Sequence, residues 1–238
     1  MVYYIPVLGA IALAWGTILE RLILKKRKIE IRTYQVASFL AIVLSTLPLL
    51  YFFWKLDSSA LQPKNIVIFF LVIIFALIAN FLAFYSLKWE KVGKIEPARV
   101  LEPLFVILLV IVFSLFTDGV YAKNPKVIFP AIIAALALFF SHVEKHHLRF
   151  NKYFIAAIFS SLFFALELVI SRLILDFYSP VSFYFFRSSF ILLFSLILFR
   201  PNFKELDSKT GWIVFLTGII WVAYRVMIYY GYLSIGIV

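Results

Sequence analysis

The sequence predicts an all-α integral membrane protein: eight transmembrane helices arranged as inverted five-helix repeats, with the second repeat incomplete. Three observations carry this. Of 238 residues, 64% are hydrophobic and 19% aromatic, with a mean hydropathy of +1.03, a balance foreign to soluble domains. Several apolar runs reach the ~20 residues that a spanning helix needs. The chain also matches itself at an offset of 151 residues, and the two copies carry opposite loop charges.

The same composition excludes other classes. A membrane β-barrel would show alternating segments about half as long. The net charge of +11 comes from lysines and arginines in short loops between apolar runs. That pattern fits one face of a bilayer, not a nucleic-acid groove, so no nucleic-acid partner is expected. The chain has no cysteine, which removes disulfides, thiolate metal sites and thiol redox chemistry. The first apolar run starts at Tyr3 with no basic residue before it and continues for ~22 residues, unlike a cleavable signal peptide.

Spans are expected at 3–24, 34–54, 65–87, 97–116, 126–142, 153–175, 181–199 and 211–232. Pro97, Pro180, Pro201 and the Lys123-Asn-Pro125 turn mark boundaries. The fourth span is the anomalous one. It reads Glu96-Pro97-Ala-Arg99-Val-Leu-Glu102-Pro103 before its apolar run, with Pro97 expected at the first helical position. Glu96, Arg99 and Glu102 recur every three residues and so share one side of a helix. A charge in lipid costs at least ~2.5 kcal/mol, so these groups should face protein or water. Pro103 should kink or loosen the helix near Glu102. The plainer reading is a self-neutralised anchor at the membrane surface.

Glu20-Arg21-Leu-Ile-Leu24 matches Ser171-Arg172-Leu-Ile-Leu175, and Tyr34 to Phe39 then matches Phe185 to Phe190 without a gap. Ala83-Phe-Tyr85 matches Ile228-Tyr-Tyr230 at a nearby offset. Spans one to three thus correspond to spans six to eight, five apart, and an odd separation inverts the second copy. Loop charges agree: Lys25-Lys-Arg-Lys28 corresponds to Asp176-Phe-Tyr-Ser179. The repeats divide the chain into 1–143, a connecting loop 144–152, and 153–238. Loops one, three, five and seven hold 14 lysines and arginines, against four in loops two and four. The positive-inside rule then makes the odd loops cytoplasmic and the N-terminus external. Two five-span repeats require ten spans, so the last two are expected to be missing from this sequence.

Depth groups the buried polar residues. Glu167 and Arg225 each lie about fifteen residues into their spans, roughly 22 Å from the odd-loop side, and Arg187 roughly 18 Å from it. An acid and two arginines near the middle of a ~30 Å layer read as an anionic-substrate site or as a structural ion-pair network. Asn80, the repeat equivalent of Arg225, lies with Glu102, Glu20 and Arg99 within roughly 10 Å of that side. Small-residue pairs, Ala12 to Gly16, Ala131 to Ala135 and Ala156 to Ser160, suit close helix packing, within one chain or across a homodimer. His142, His146 and His147 have the spacing of a desaturase histidine box, but such di-iron enzymes need about eight histidines and the chain has three. Neither a metal, a cofactor nor an enzymatic activity is expected.

The Trp15-Gly16 pair in span one, the Phe84-Tyr85-Ser-Leu-Lys segment closing span three, and Leu101-Glu102-Pro103-Leu-Phe-Val in span four resemble the drug/metabolite transporter superfamily, EamA-like branch. Ser171-Arg172-Leu to Phe190 resembles the second repeat of that family. The resemblance implies ten spans in two inverted repeats, and a permease of the cell membrane. It further implies alternating-access movement of a small polar metabolite, with a coupling proton or cation as second partner. Trp15 joins Glu167, Arg225, Arg187, Asn80, Glu102 and Arg99 as a transport-site residue on that reading. The family's usual cytoplasmic N-terminus and ten spans differ from the charge bias and the eight spans here. The alternative is a non-transporting membrane scaffold or assembly protein whose buried charges are structural.

Overall fold

A computed structural model describes residues 5–26, 29–116 and 151–234, together with Phe129, Pro130, Ile132, Ile133, Leu136, Ala137 and Phe140. Among them the regular structure is helical, apart from one antiparallel bridge between Leu56 and Tyr178. The helices are α1 (Ile5–Arg21), followed by a π-helical turn at Leu22–Lys26, α2 (Ile31–Phe53), α3 (Pro63–Trp89), α4 (Val92–Arg99), α5 (Leu101–Phe113), α6 (Lys152–Arg172), α7 (Pro180–Phe199) and α8 (Ser208–Ser234).

Six helical segments are long and apolar enough to cross a membrane: Val7–Lys25, Ile31–Phe53, Pro63–Trp89, Lys152–Arg172, Pro180–Phe199 and Ser208–Ser234. They coincide with expected spans one to three and six to eight. Their outward side chains remain apolar, as with Leu44, Val67, Ile74, Leu193 and Ile197, so the chain is a helical protein of membrane type. The caps follow local chemistry. Asn151 Oδ1 accepts from the N–H groups of Tyr153 and Phe154 at the start of α6. Ser179 Oγ accepts from Ser182 N–H ahead of Pro180 at the start of α7.

The fourth expected span differs from its prediction. It is not one helix from Pro97 but two, α4 and α5, which meet at Val100. Pro97 lies inside α4, and Pro103 occupies the first turn of α5. The reason is steric. Proline lacks an N–H for the carbonyl four residues back, and its ring clashes with that carbonyl; for Pro103 this is Arg99, where α4 stops. At ~1.5 Å per residue α5 alone is ~20 Å long, short of a ~30 Å hydrocarbon layer. The expected fifth span and the histidine-bearing loop after it lie mostly or wholly outside the described residues.

The molecule divides into two compact units, one of Met1–Phe69 and Ile174–Ser234, the other containing Phe70–Leu173. In the first, α2 packs along α7, and α8 packs on α1, α2 and α7. Gly218 of α8 meets α2 so closely that an added Cβ would stand 2.8 Å from Ala41 Cβ and 3.0 Å from the Ala41 carbonyl carbon. Gly16 of α1 lies under the Trp221 ring. In the second unit α4 and α5 pack on α6. Ser160 of α6 donates to the Ala79 carbonyl of α3 at 2.9 Å, and Phe75 and Phe163 lie 5.9 Å apart. The small pairs Ala12–Gly16 and Ala156–Ser160 thus turn Gly16 and Ser160 to packing within the chain. The expected repeats divide the chain in sequence; these units divide it in space, and each draws helices from both halves.

Candidate functional site

In the first unit α7 and α8 run antiparallel, joined by the 200–207 turn, where Arg200 closes α7 with a left-handed φ of 44°. Phe183 and Tyr184 of α7 both reach Tyr229 of α8, with ring centroids 5.1 and 6.2 Å apart. One turn further along α7, and one turn back along α8, stand Arg187 and Arg225. The register therefore brings the two guanidinium-bearing positions to the same level of one unit, Arg187 at 1% exposure and Arg225 at 7%. The Arg187 guanidinium carbon lies 5.6 Å from the centre of the Tyr184 ring, a cation–π contact strengthened by the dry surroundings. Arginine suits such a place because its charge is spread over a planar fork and it keeps its proton at any physiological pH. From the C-terminal end of α7, Arg187 is roughly 18 Å along the helix, well inside an apolar layer.

Further polar groups line the same interior. Ser188, next to Arg187, is wholly buried, and its hydroxyl has no partner among the described residues. Seven residues on, Ser195 accepts a 3.4 Å hydrogen bond from Gln35 Nε2 of α2, and the Gln35 carbonyl oxygen is also without a partner there. Glu20, 4% exposed at the end of α1, places its carboxylate against the Tyr34 hydroxyl of α2. The signal for Glu20 was present in sequence, as a charge inside the first apolar run, but depth alone assigned it to the surface.

Glu167, Asn80, Glu102 and Arg99 belong to the second unit. Glu167 is wholly buried on α6, between Ala165 and Leu168, which are themselves buried. Asn80 is half-buried and donates to the Ala76 carbonyl of its own helix at 2.7 Å, a local bond. Arg99 ends α4 and Glu102 begins α5, both half-buried on either side of the break at Val100. Trp15, in the first unit, is 63% exposed, while its neighbour Gly16 is buried. Among the described residues no three His, Cys, Asp or Glu side chains gather as a metal site; His142, His146 and His147 lie outside them.

Comparison of the chain with protein-family models, with curated proteins and with solved structures finds no match. The geometry of the site therefore carries the functional reading.

Proposed function

We propose that the chain is a membrane transporter of the drug/metabolite, EamA-like type, moving a small polar metabolite by alternating access between inverted repeats. The observation that carries the reading is the pair Arg187 and Arg225, in register and buried inside two helices made otherwise of apolar and aromatic residues. Ionisable groups at such depth are expensive and mark substrate or ion pathways. Two guanidiniums suit an anionic group on the metabolite; the buried carboxylates Glu167 and Glu20 are the candidates to carry a coupling proton.

The packing of the first unit supports the repeat. Helices α2 and α7 are the expected equivalents at offset 151, and they pack antiparallel: Gln35 reaches Ser195, Thr33 reaches Asn202, and Trp54 meets Phe186. Interpolating between these pairs sets equivalent positions opposite one another near Ile42 and Leu193, close to the middle of α2. A two-fold axis in the membrane plane requires such a crossing. It further requires that if the second loop bonds the sixth, the first must bond the seventh. Lys55 N–H donates to Ser182 Oγ at 3.0 Å and Asp57 N–H to the Phe177 carbonyl at 2.8 Å. At the other end Glu30 N–H donates to Glu205 Oε2 at 3.0 Å and Asn202 N–H to Thr33 Oγ1 at 3.2 Å.

The test is a screen of purified protein in proteoliposomes for uptake of anionic metabolites, with Arg187→Gln, Arg225→Gln and Glu167→Gln beside the parent. Uptake by the parent and its loss in variants that still fold is the expected result. Folded parent that moves nothing, with variants that lose only stability, favours the scaffold reading.

A further inference from the structure

The end of α3 and the start of α6, both in the second unit, make a basic and aromatic corner that the transport reading does not use. Tyr153 sits between Tyr85, at 5.4 Å, and Trp89, whose ring lies nearly parallel to it at 6.4 Å. Trp89 is 55% exposed. Lys88 and Lys152 lie over the Trp89 and Tyr153 rings at 5.7 and 5.2 Å, and Lys91 and Lys94 are exposed on the turn into α4. One carboxylate faces these four lysines, and it is committed. Glu90 accepts from Asn151 Nδ2 at 2.8 Å and from Lys91 N–H at 3.0 Å, and pairs with Lys94 at 3.6 Å. The Lys91 N–H, then Asn151 and Lys94, hold Glu90 below the usual carboxylate range despite its partial burial. It therefore stays ionised, yet it balances Lys94 alone.

We propose that this corner is a binding site for the headgroup of an anionic phospholipid, with Lys88, Lys91 and Lys152 holding the phosphate and the Tyr153–Trp89 stack seating the glycerol region. The chemistry is complementary at both levels. Tryptophan and tyrosine settle where acyl chains give way to headgroups, and lysines just beyond them attract anionic lipid by about fivefold each, the equivalent of ~1 kcal/mol. The α6 N-terminus beside Asn151 adds a partial positive charge. A zwitterionic choline headgroup gains less, because the lysines repel its ammonium. The bound lipid would brace α3 against α6, alongside the Asn151–Glu90 bond.

Full-length protein in nanodiscs of phosphatidylcholine, and of phosphatidylcholine with phosphatidylglycerol in equal parts, supplies the test. The readouts are lipid retained by native mass spectrometry and the thermal midpoint. Phosphatidylglycerol should be retained selectively and raise the midpoint. The combined Lys88→Gln, Lys91→Gln, Lys152→Gln variant should lose that preference, by about fivefold per lysine. The three Lys→Arg changes should keep it, and Lys64→Gln, at the other end of α3, should not alter it. Inorganic phosphate added to phosphatidylcholine discs should leave the midpoint unchanged. Equal retention of the two lipids, a preference that survives the triple Gln variant, or an equal loss in Lys64→Gln overturns the proposal. None of these outcomes touches the transport reading, which rests on other residues and another assay.

Discussion

The fourth expected span and the α7–α8 pair both put charge inside apolar sequence, and they solve the problem in opposite ways. Around Arg99 and Glu102 the helix is broken at Val100, so each charged residue sits at a helix end and is half-buried. Arg187 and Arg225 lie inside unbroken helices and are nearly sealed from solvent. A helix end offers unpaired backbone groups and a route to water, whereas a helix middle offers neither. The more conspicuous cluster in the sequence is therefore the cheaper one, and the two isolated arginines are the costly ones. Cost without compensation is not retained at random, which is why the isolated pair carries the functional proposal.

The comparison breaks first on stability. Arg187→Ala should cost ~3–5 kcal/mol, because its interactions are buried and their loss leaves polar groups unsatisfied. Arg99→Ala, at the half-buried helix end, should cost under ~1 kcal/mol. Denaturant unfolding in mixed micelles measures both, and equal costs would abolish the distinction. Next, Gly218→Ala should cost ~1–3 kcal/mol by overpacking, since the new methyl meets the backbone of α2 and not a movable side chain. A neutral result would mean that α2 and α8 approach less closely than this packing requires.

Two smaller effects sharpen it. Arg200→Gly should stabilise by ~1 kcal/mol, since glycine adopts the left-handed conformation at the end of α7 without the penalty that arginine bears. Thermal unfolding reads this shift. Pro103→Ala should join α4 to α5 by restoring an N–H for the Arg99 carbonyl. Hydrogen exchange at residues 100–104 should slow, with a net stability change under ~1 kcal/mol because proline near a helix start is tolerated. Last, Glu90 is held charged by hydrogen bonds and by Lys94, so its folded value lies below its unfolded one. Its contribution is present above the ordinary glutamate value near pH 4.5 and fades as pH falls through the lower folded value. An acid titration of parent against Glu90→Gln should diverge only in that range.

Much of this fold is legible in the sequence because lipid enforces simple rules. A run of ~20 apolar residues has few alternatives to a spanning helix, and six spans fall within a few residues of their expected limits. The Pro97–Pro103 region was misread for a local reason: both prolines obey the rule for helix starts, and only packing decides which one begins a helix. Residues such as Gln35, Ser188 and Ser195 were not legible, since serine and glutamine in an apolar run carry no signature until a neighbouring helix faces them. Arg187 and Arg225 were legible as costly residues, and their shared level followed from depth. Their near-complete burial, and the stacking of Arg187 on Tyr184, needed three dimensions.

The stitching of α2 to α7 also sets a schedule for synthesis. Lys55 waits for Ser182, which lies 127 residues later in the chain. At ~5–20 residues per second the ribosome needs roughly 6–25 s to deliver it. During that interval Gln35, Thr46 and the glycine-width groove at Ala41 have neither α7 nor α8 to face. Nascent α2 must be sheltered by the insertion machinery or wander in the bilayer with its polar groups exposed to lipid. Faults in this protein should therefore arise mostly at birth, as chains degraded before their last helices arrive.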